Sequence, residues 1–199
     1  MFKSMTMLAG GALGVSVAVA TGAPSPQALL TQVTGKSVSI NSPAGTASSS
    51  CPAGWGTQAK TSARPDGPST AKVAGVRAGQ HACYDRLVID LGKGTRPGYH
   101  ARYVQALRSQ GSGSVIPLRG SAKLEITVNA NARSRFPASA RELANVAGFS
   151  AFRQLAGAGS FEGQTDMGIG LRTRLPFRVF VINGPGSDSR LVVDVARHR

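Results

Sequence analysis

Acidic residues are scarce in this chain: its 199 residues include 9 Asp plus Glu against 23 Lys plus Arg, giving a formal net charge of +14. That imbalance predicts a positive surface potential and anionic partners. Histidine is also rare, with three residues. Because His81, His100 and His198 show no metal-ligand spacing, we predict neither a metal site nor a cofactor. Hydrophobic residues make up 41% of the chain, which is typical of a folded protein.

Motifs of the common hydrolases are missing as well. The nucleophile elbow Gly-x-Ser-x-Gly does not occur. Ser69 and Lys72 have the Ser-x-x-Lys spacing of penicillin-binding enzymes, but they stand in a Pro/Gly-rich stretch without the companion motifs. The sequence therefore indicates a protein that is not an enzyme.

Two acids leave one catalytic alternative open. Asp85 and Asp194 would act as a general acid/base pair, as in a glycosidase, if they faced each other. Since bases greatly outnumber acids, we favour structural ion pairs. Arg86 follows Asp85, and Arg190 shares a strand face with Asp194.

The N-terminus resembles a secretory signal peptide over residues 1–23. Lys3 precedes an uncharged apolar stretch of Ala, Gly, Val, Leu and Met, and small residues then surround the candidate cleavage sites after Ala20 and Ala23. The alternative is a membrane anchor, but the stretch is short for a bilayer span and rich in Gly and Ala. Cleavage would lower the net charge from +14 to +13. We expect a secreted, envelope-associated protein without a stable membrane span.

Residues 24–50 are rich in Ser, Thr, Pro and Gly and are predicted to be a disordered tether. An extended segment, 51–72, follows and carries Cys51 and Trp55. The second cysteine is Cys83, and an even count in an exported chain favours a disulfide. Closing this loop stabilises a fold by about 3–4 kcal/mol in the chain-entropy model. Free thiols or a redox pair are the alternative.

From residue 73 onwards, apolar and polar residues alternate with a period of two. Clear examples are 86–91, 99–104, 123–128, 177–182 and 190–195. Such alternation is typical of strands with one buried face. Turn residues separate these runs, which predicts an all-β, antiparallel sandwich over 73–197. One short helix is expected between Ser139, three residues before Glu142 as in a capping box, and Gly148.

Several of these segments together resemble the AMIN-like domain of exported proteins from high-GC Gram-positive bacteria. They are VRAGQH (76–81), CYDRLVID (83–90), FEGQT (161–165), GIGL (168–171), PFRV (176–179) and RLVVDV (190–195). The 17 Arg against 6 Lys fit such a genome. The resemblance covers about residues 73–197. The residues to which we assign structural roles in these motifs are Tyr84, Asp85, Arg86, Gly168, Gly170 and Asp194.

This resemblance implies a β-sandwich related to the AMIN domains that bind peptidoglycan and localise their partners. It implies no activity. Gly168 and Gly170 are interpreted as a bulge or tight bend, with a ligand loop as the alternative.

We therefore predict an envelope-binding module for peptidoglycan or anionic wall polymers, bound by arginine forks. The candidate ligand residues are bases on exposed strand faces: Arg102, Arg119, Lys123, Arg172, Arg174 and Arg178. Charge that only keeps the protein soluble is the main alternative, and an unrecognised hydrolase is another. Nucleic acid is excluded as a partner because aromatic residues make up only 6% of the chain and export removes the usual targets.

Overall fold

The computed structural model describes residues 51, 53–62, 69–94, 96–184, 186 and 188–198. The predicted signal peptide and tether lie outside these residues. The described residues form twelve strands and no helix, which confirms the all-β class. Accordingly, this part of the chain contains no helix that could cross a membrane.

Five of the twelve strands coincide with the five clearest alternating segments of the sequence, and the other seven lie outside those segments. In chain order the strands are β1 (Lys60–Ser62), β2 (Lys72–Gln80), β3 (Tyr84–Leu91), β4 (Tyr99–Val104), β5 (Leu107–Arg108), β6 (Val115–Ile116), β7 (Ala122–Val128), β8 (Asn131–Ala132), β9 (Phe152–Phe161), β10 (Gln164–Leu171), β11 (Phe177–Asn183) and β12 (Ser189–Ala196).

Two five-stranded sheets form a sandwich. Sheet A has the order β1-β4-β7-β10-β9, and sheet B has the order β11-β12-β3-β2-β8. Strands β5 and β6 form a separate two-stranded ribbon. The neighbours are antiparallel except for β2 and β8, which are parallel. Strand β1 belongs to the segment that carries Cys51 and Trp55, and it pairs with β4.

The core lies between the two sheets, where apolar side chains from both are packed into one cluster. Fully burying a Leu, Ile or Phe contributes about 1.5–3 kcal/mol, so this cluster supplies most of the favourable folding energy. Its largest members are Leu87, Ile89, Leu91, Leu124, Ile126, Phe152, Leu155, Met167, Ile169, Leu171 and Phe177.

Strand β12 departs from the predicted alternation, because it is buried on both faces. Leu191, Val193 and Val195 face the core as expected, but Val192 and Asp194 on the opposite face are also fully buried. The outer face of sheet B is therefore covered at its centre by side chains of the neighbouring strands.

The predicted helix at 139–148 is wrong. The backbone there makes turns, and its polar groups bind strand β9 instead of one another. The amide of Gly157 donates to Ala140, and the amide of Leu143 donates to Leu155. The segment thus covers the free edge of sheet A, and these bonds outweigh the helical preference suggested by the capping-box spacing.

Gly168 and Gly170 lie inside strand β10, next to a register shift between Gly170 and Leu171. A Cβ on Gly170 would lie 1.9 Å from the carbonyl oxygen of Arg119, and one on Gly168 would lie 2.6 Å from a methyl of Leu107. The two glycines therefore let the connection between β4 and β7 lie directly against sheet A. They are packing positions, not a ligand loop.

Candidate functional site

Strand register brings three distant charged residues together on the outer face of sheet B. Arg86 on β3 is paired with Asp194 on β12, and Asp194 is paired with Arg178 on β11. Because side chains alternate along a strand, Tyr84 and Phe180 project from the same face as these residues. The sheet thus places two guanidinium groups on either side of one carboxylate.

The carboxylate of Asp194 is fully buried and receives hydrogen bonds from both arginines. Arg86 donates from Nε to Oδ1 at 2.6 Å and from Nη2 to Oδ2 at 2.9 Å. Arg178 reaches Oδ2 with Nε at 2.9 Å and with Nη2 at 2.8 Å. The hydrogen bonds from Arg86 to Asp194 raise the pKa of Arg86 above its ordinary value. One negative charge therefore holds two positive charges in place, and one positive charge remains in excess.

Three aromatic rings surround these guanidinium groups. The guanidinium carbon of Arg178 lies 4.5 Å from the ring centre of Trp55 and 5.0 Å from that of Phe180. That of Arg86 lies 5.1 Å from the ring centre of Tyr84. Cation–π contacts of this kind favour a fixed arginine orientation. We call the six residues Trp55, Tyr84, Arg86, Arg178, Phe180 and Asp194 the arginine–aromatic cluster.

Trp55 reaches the cluster because its segment is fastened to the sandwich at two points. Cys51 and Cys83 form the predicted disulfide. The amide of Phe177 donates to the carbonyl of Gly56 at 2.9 Å. A cavity of about 270 Å³ adjoins the indole, between the disulfide and the end of sheet B.

The arrangement fits a ligand that carries both sugar and acid groups. A guanidinium fork matches carboxylate or phosphate oxygens, and a half-buried indole or phenol ring offers a flat apolar surface beside it. Trp55, Tyr84, Arg178 and Phe180 all remain partly exposed. Within the described residues, no group of His, Cys, Asp and Glu side chains is placed to hold a metal ion.

Asp85 has a different environment from Asp194. Its Oδ2 accepts hydrogen bonds from the amides of Ala151 and Phe152 at 2.6 and 3.2 Å, and its Oδ1 is 3.2 Å from Nε of Arg197. Asp85 shares its side of β3 with the core residues, whereas Asp194 lies on the outer face. The two carboxylates thus face opposite sides of sheet B, which does not suit an acid/base pair.

The ion-pair partners suggested by the sequence are wrong. Asp85 pairs with Arg197 in place of Arg86, and Asp194 pairs with Arg86 and Arg178 in place of Arg190. The sequence neighbour of an acid on a strand projects from the opposite face, so adjacency is a poor guide to pairing.

The six predicted ligand residues do not form one site. Arg102 and Lys123 lie on β4 and β7 of sheet A, where Arg102 pairs with Glu125 at 3.0 Å. Arg119 precedes β7 and pairs with Glu142 at 2.8 Å. Arg178 alone belongs to the arginine–aromatic cluster.

The remaining two, Arg172 and Arg174, lie between β10 and β11. Arg172 donates to the carbonyl of Arg197. Arg174 lies 4.7 Å from the ring centre of Tyr103. Both arginines therefore already contact other groups of the protein, and neither belongs to the arginine–aromatic cluster.

Sequence reasoning missed Trp55 and Phe180 as members of a site and treated Tyr84 and Arg86 as purely structural. The available signal was the period-two spacing of Tyr84 with Arg86 and of Arg178 with Phe180. Each pair places an aromatic residue and an arginine on one strand face.

Comparison with known proteins agrees with this architecture. The family model described as the AMIN-like domain matches residues 71–197. The chain belongs to the AMIN-like domain family. AMIN-like domains are in general peptidoglycan-binding, non-catalytic modules of extracytoplasmic proteins. The disulfide of this AMIN-like domain is consistent with export. No curated protein and no solved structure was found to match the chain.

Proposed function

We propose that this protein is an exported, non-enzymatic module that binds anionic polymers of the cell envelope through the outer face of sheet B. The observation that carries the proposal is the arginine–aromatic cluster. There, two guanidinium groups share one carboxylate beside partly exposed aromatic rings. Peptidoglycan and phosphate-bearing wall polymers are the ligand class, since both present oxyanions on a sugar or polyol backbone.

The distribution of charge supports this assignment. The chain has 9 acids against 23 bases, and Asp85 and Asp194 are fully buried. Both buried acids are already paired with arginines, so at most seven acids are left to offset the remaining bases. A surface of this kind attracts polyanions, and its attraction weakens as salt rises.

Pre-organisation also supports the cluster as the contact surface. Asp194 and the aromatic rings hold both arginines in fixed positions, so little side-chain entropy remains to be lost on binding. Arg178 keeps 39% of its side chain exposed, which leaves part of its fork available to a ligand.

The test is a sedimentation assay of the oxidised mature chain with purified wall sacculi across a salt series. We expect binding at low salt that declines as salt rises. Arg178→Gln should weaken it about tenfold, since a hydrogen bond to a charged group is worth about 1.5–3 kcal/mol. Arg102→Gln is the matched control, because it removes the same charge and an ion pair on sheet A.

Two results would contradict the proposal in different ways. Equal losses in Arg178→Gln and Arg102→Gln would mean that diffuse charge alone drives binding and that the cluster is not the contact surface. Absence of binding at every salt concentration would favour the alternative in which the charge only keeps the protein soluble.

A further inference from the structure

A second cationic feature lies at the other end of the same sheet face. It is a cleft of about 270 Å³ between the ends of β2, β3 and β12. The charged or closely packed residues that line it are Arg77, Asp90, Gly92, Arg133, Asp188 and Arg190. We call it the β12 cleft.

The β12 cleft contains arginines that the protein itself does not neutralise. Arg77 is held by Asp90, with Nη2 to Oδ1 at 2.7 Å. Arg133 and Arg190 form no ion pair with any acid in the described part of the chain. Asp188 is the second acid in the wall, so the cleft carries one positive charge in excess.

Arg133 extends from the β8–β9 connection to Gly92 at the end of β3. A Cβ on Gly92 would lie 2.7 Å from Nη2 and 3.4 Å from Cζ of Arg133. The exposed guanidinium therefore lies close to the backbone of Gly92. This contact places an uncompensated cation in the wall of the cleft.

Strand β12 connects the β12 cleft with the arginine–aromatic cluster. Arg190 lines the cleft, and Asp194 anchors the cluster four residues later on the same face. At about 3.3 Å per residue, the two positions are about 13 Å apart. Val192 lies between them on β12. Its neighbours across the sheet are Val88 on β3 and Phe180 on β11. Two cationic points are thus separated by an apolar strip.

We infer that the outer face of sheet B binds one linear polyanion at two points, with one oxyanion in the β12 cleft and another at Arg178. This inference rests on the proposed function and specifies its ligand. The ligand is a chain of repeated phosphodiester or carboxylate groups, with apolar sugar or polyol faces that cross the half-buried Val88 and Phe180 on either side of the buried Val192. Linking two weak contacts in one molecule raises affinity by about 100-fold or more, provided that the linker spans both sites.

The test is a series of glycerol-phosphate oligomers of increasing length, measured by calorimetry with the oxidised mature chain. Galacturonate oligomers form a parallel arm, which distinguishes phosphodiester from carboxylate ligands. We expect weak binding of the monomer and a step of about 100-fold in oligomers that span more than the distance of about 13 Å between Arg190 and Asp194. Arg133→Gln and Arg178→Gln should each abolish the step and leave monomer binding at the other site.

Arg102→Gln on sheet A should keep the step. Because Arg133 and Arg178 are partly or fully exposed, both variants are expected to fold, and thermal melting with tryptophan fluorescence checks this. If long oligomers bind but Arg133→Gln keeps the length step, the two-point inference is overturned and the proposed function stands. If no oligomer of either series binds the unaltered protein, the two-point inference is overturned, and the proposed function falls with it only if wall sacculi also fail to bind.

Discussion

Arg178 lies directly opposite Asp194 in the β11–β12 ladder, and its Nη2 is 2.8 Å from the buried Oδ2. Arg86 holds the same carboxylate from the other side, so three strands meet at one charge. A buried acid beneath partly exposed bases has two consequences. It links three strands of sheet B, and it fixes the orientation of both guanidinium groups.

Replacement of Asp194 tests the first consequence. Asp194→Asn removes the charge that compensates two arginines, and we expect the free energy of unfolding to fall by about 1.5–3 kcal/mol. Asp90→Asn is the matched control, since that acid pairs with a well-exposed Arg77 and should cost no more than about 1 kcal/mol. Chemical denaturation measures both variants, and equal losses would show that Asp194 has no special structural role.

The disulfide should control both stability and the position of Trp55. In a Cys51→Ser, Cys83→Ser double variant, we expect a loss of about 3–4 kcal/mol, because the unfolded chain is no longer constrained. The indole should also leave Arg178, which shifts the emission of the only tryptophan. Unchanged fluorescence would mean that packing alone holds Trp55. Reduction of the unaltered protein with dithiothreitol provides an independent check.

Gly170 should tolerate no side chain. Gly170→Ala places a methyl 1.9 Å from the carbonyl oxygen of Arg119, and backbone must move to admit it. We expect a loss of about 1–3 kcal/mol by thermal or chemical denaturation. Gly79→Ala is the comparison, because nothing lies within 4 Å of its added Cβ. Similar behaviour of the two variants would contradict a packing role for Gly170.

Tyr103 makes stability depend on pH in the alkaline range. Burial raises the pKa of its phenol above the ordinary value. The folded state therefore holds this proton more tightly than the unfolded state does. The resulting stability is fully present below about pH 10, the ordinary tyrosine pKa, and is lost as pH rises through the folded-state value.

Tyr103→Phe separates this effect from general alkaline unfolding. The variant should melt at a lower temperature at pH 7, since the hydroxyl donates to Leu175 O at 2.6 Å and accepts from Leu175 N at 2.9 Å. We expect a loss of about 1–3 kcal/mol there. Its stability should then decline less steeply above pH 10 than that of the unaltered protein. Parallel declines would assign the alkaline transition to other groups.

Local pattern was sufficient to predict the strands that alternate, but not β9 and β10, which are buried on both faces over most of their length. Leu87, Ile89 and Leu91 are buried as their alternation predicts. The segment from Ser139 to Gly148 has a helical start and stop but forms no helix, because its hydrogen-bond partners lie on β9. The spacing of residues in the sequence does not show whether a free sheet edge will offer hydrogen-bond partners to the backbone groups of this segment.

The candidate site was predictable only in part. Arg178 was expected at a ligand surface, but its neighbours come from β3, β12 and the segment around Trp55. These residues come into contact only through the strand order and register of sheet B, which are long-range properties of the fold. Trp55 and Phe180 are half-buried beside Arg178, which places them in the arginine–aromatic cluster and not in the core between the sheets.

The covering of strand β9 by residues 138–143 has a consequence for contacts between copies of this chain. A Cβ on Gly157 would meet the carbonyl oxygen of Ala138 at 2.0 Å and push this cover away. The row of amides and carbonyls beneath it would then be free to join the same row of a second molecule. The absence of one methyl group thus helps to keep neighbouring copies from polymerising.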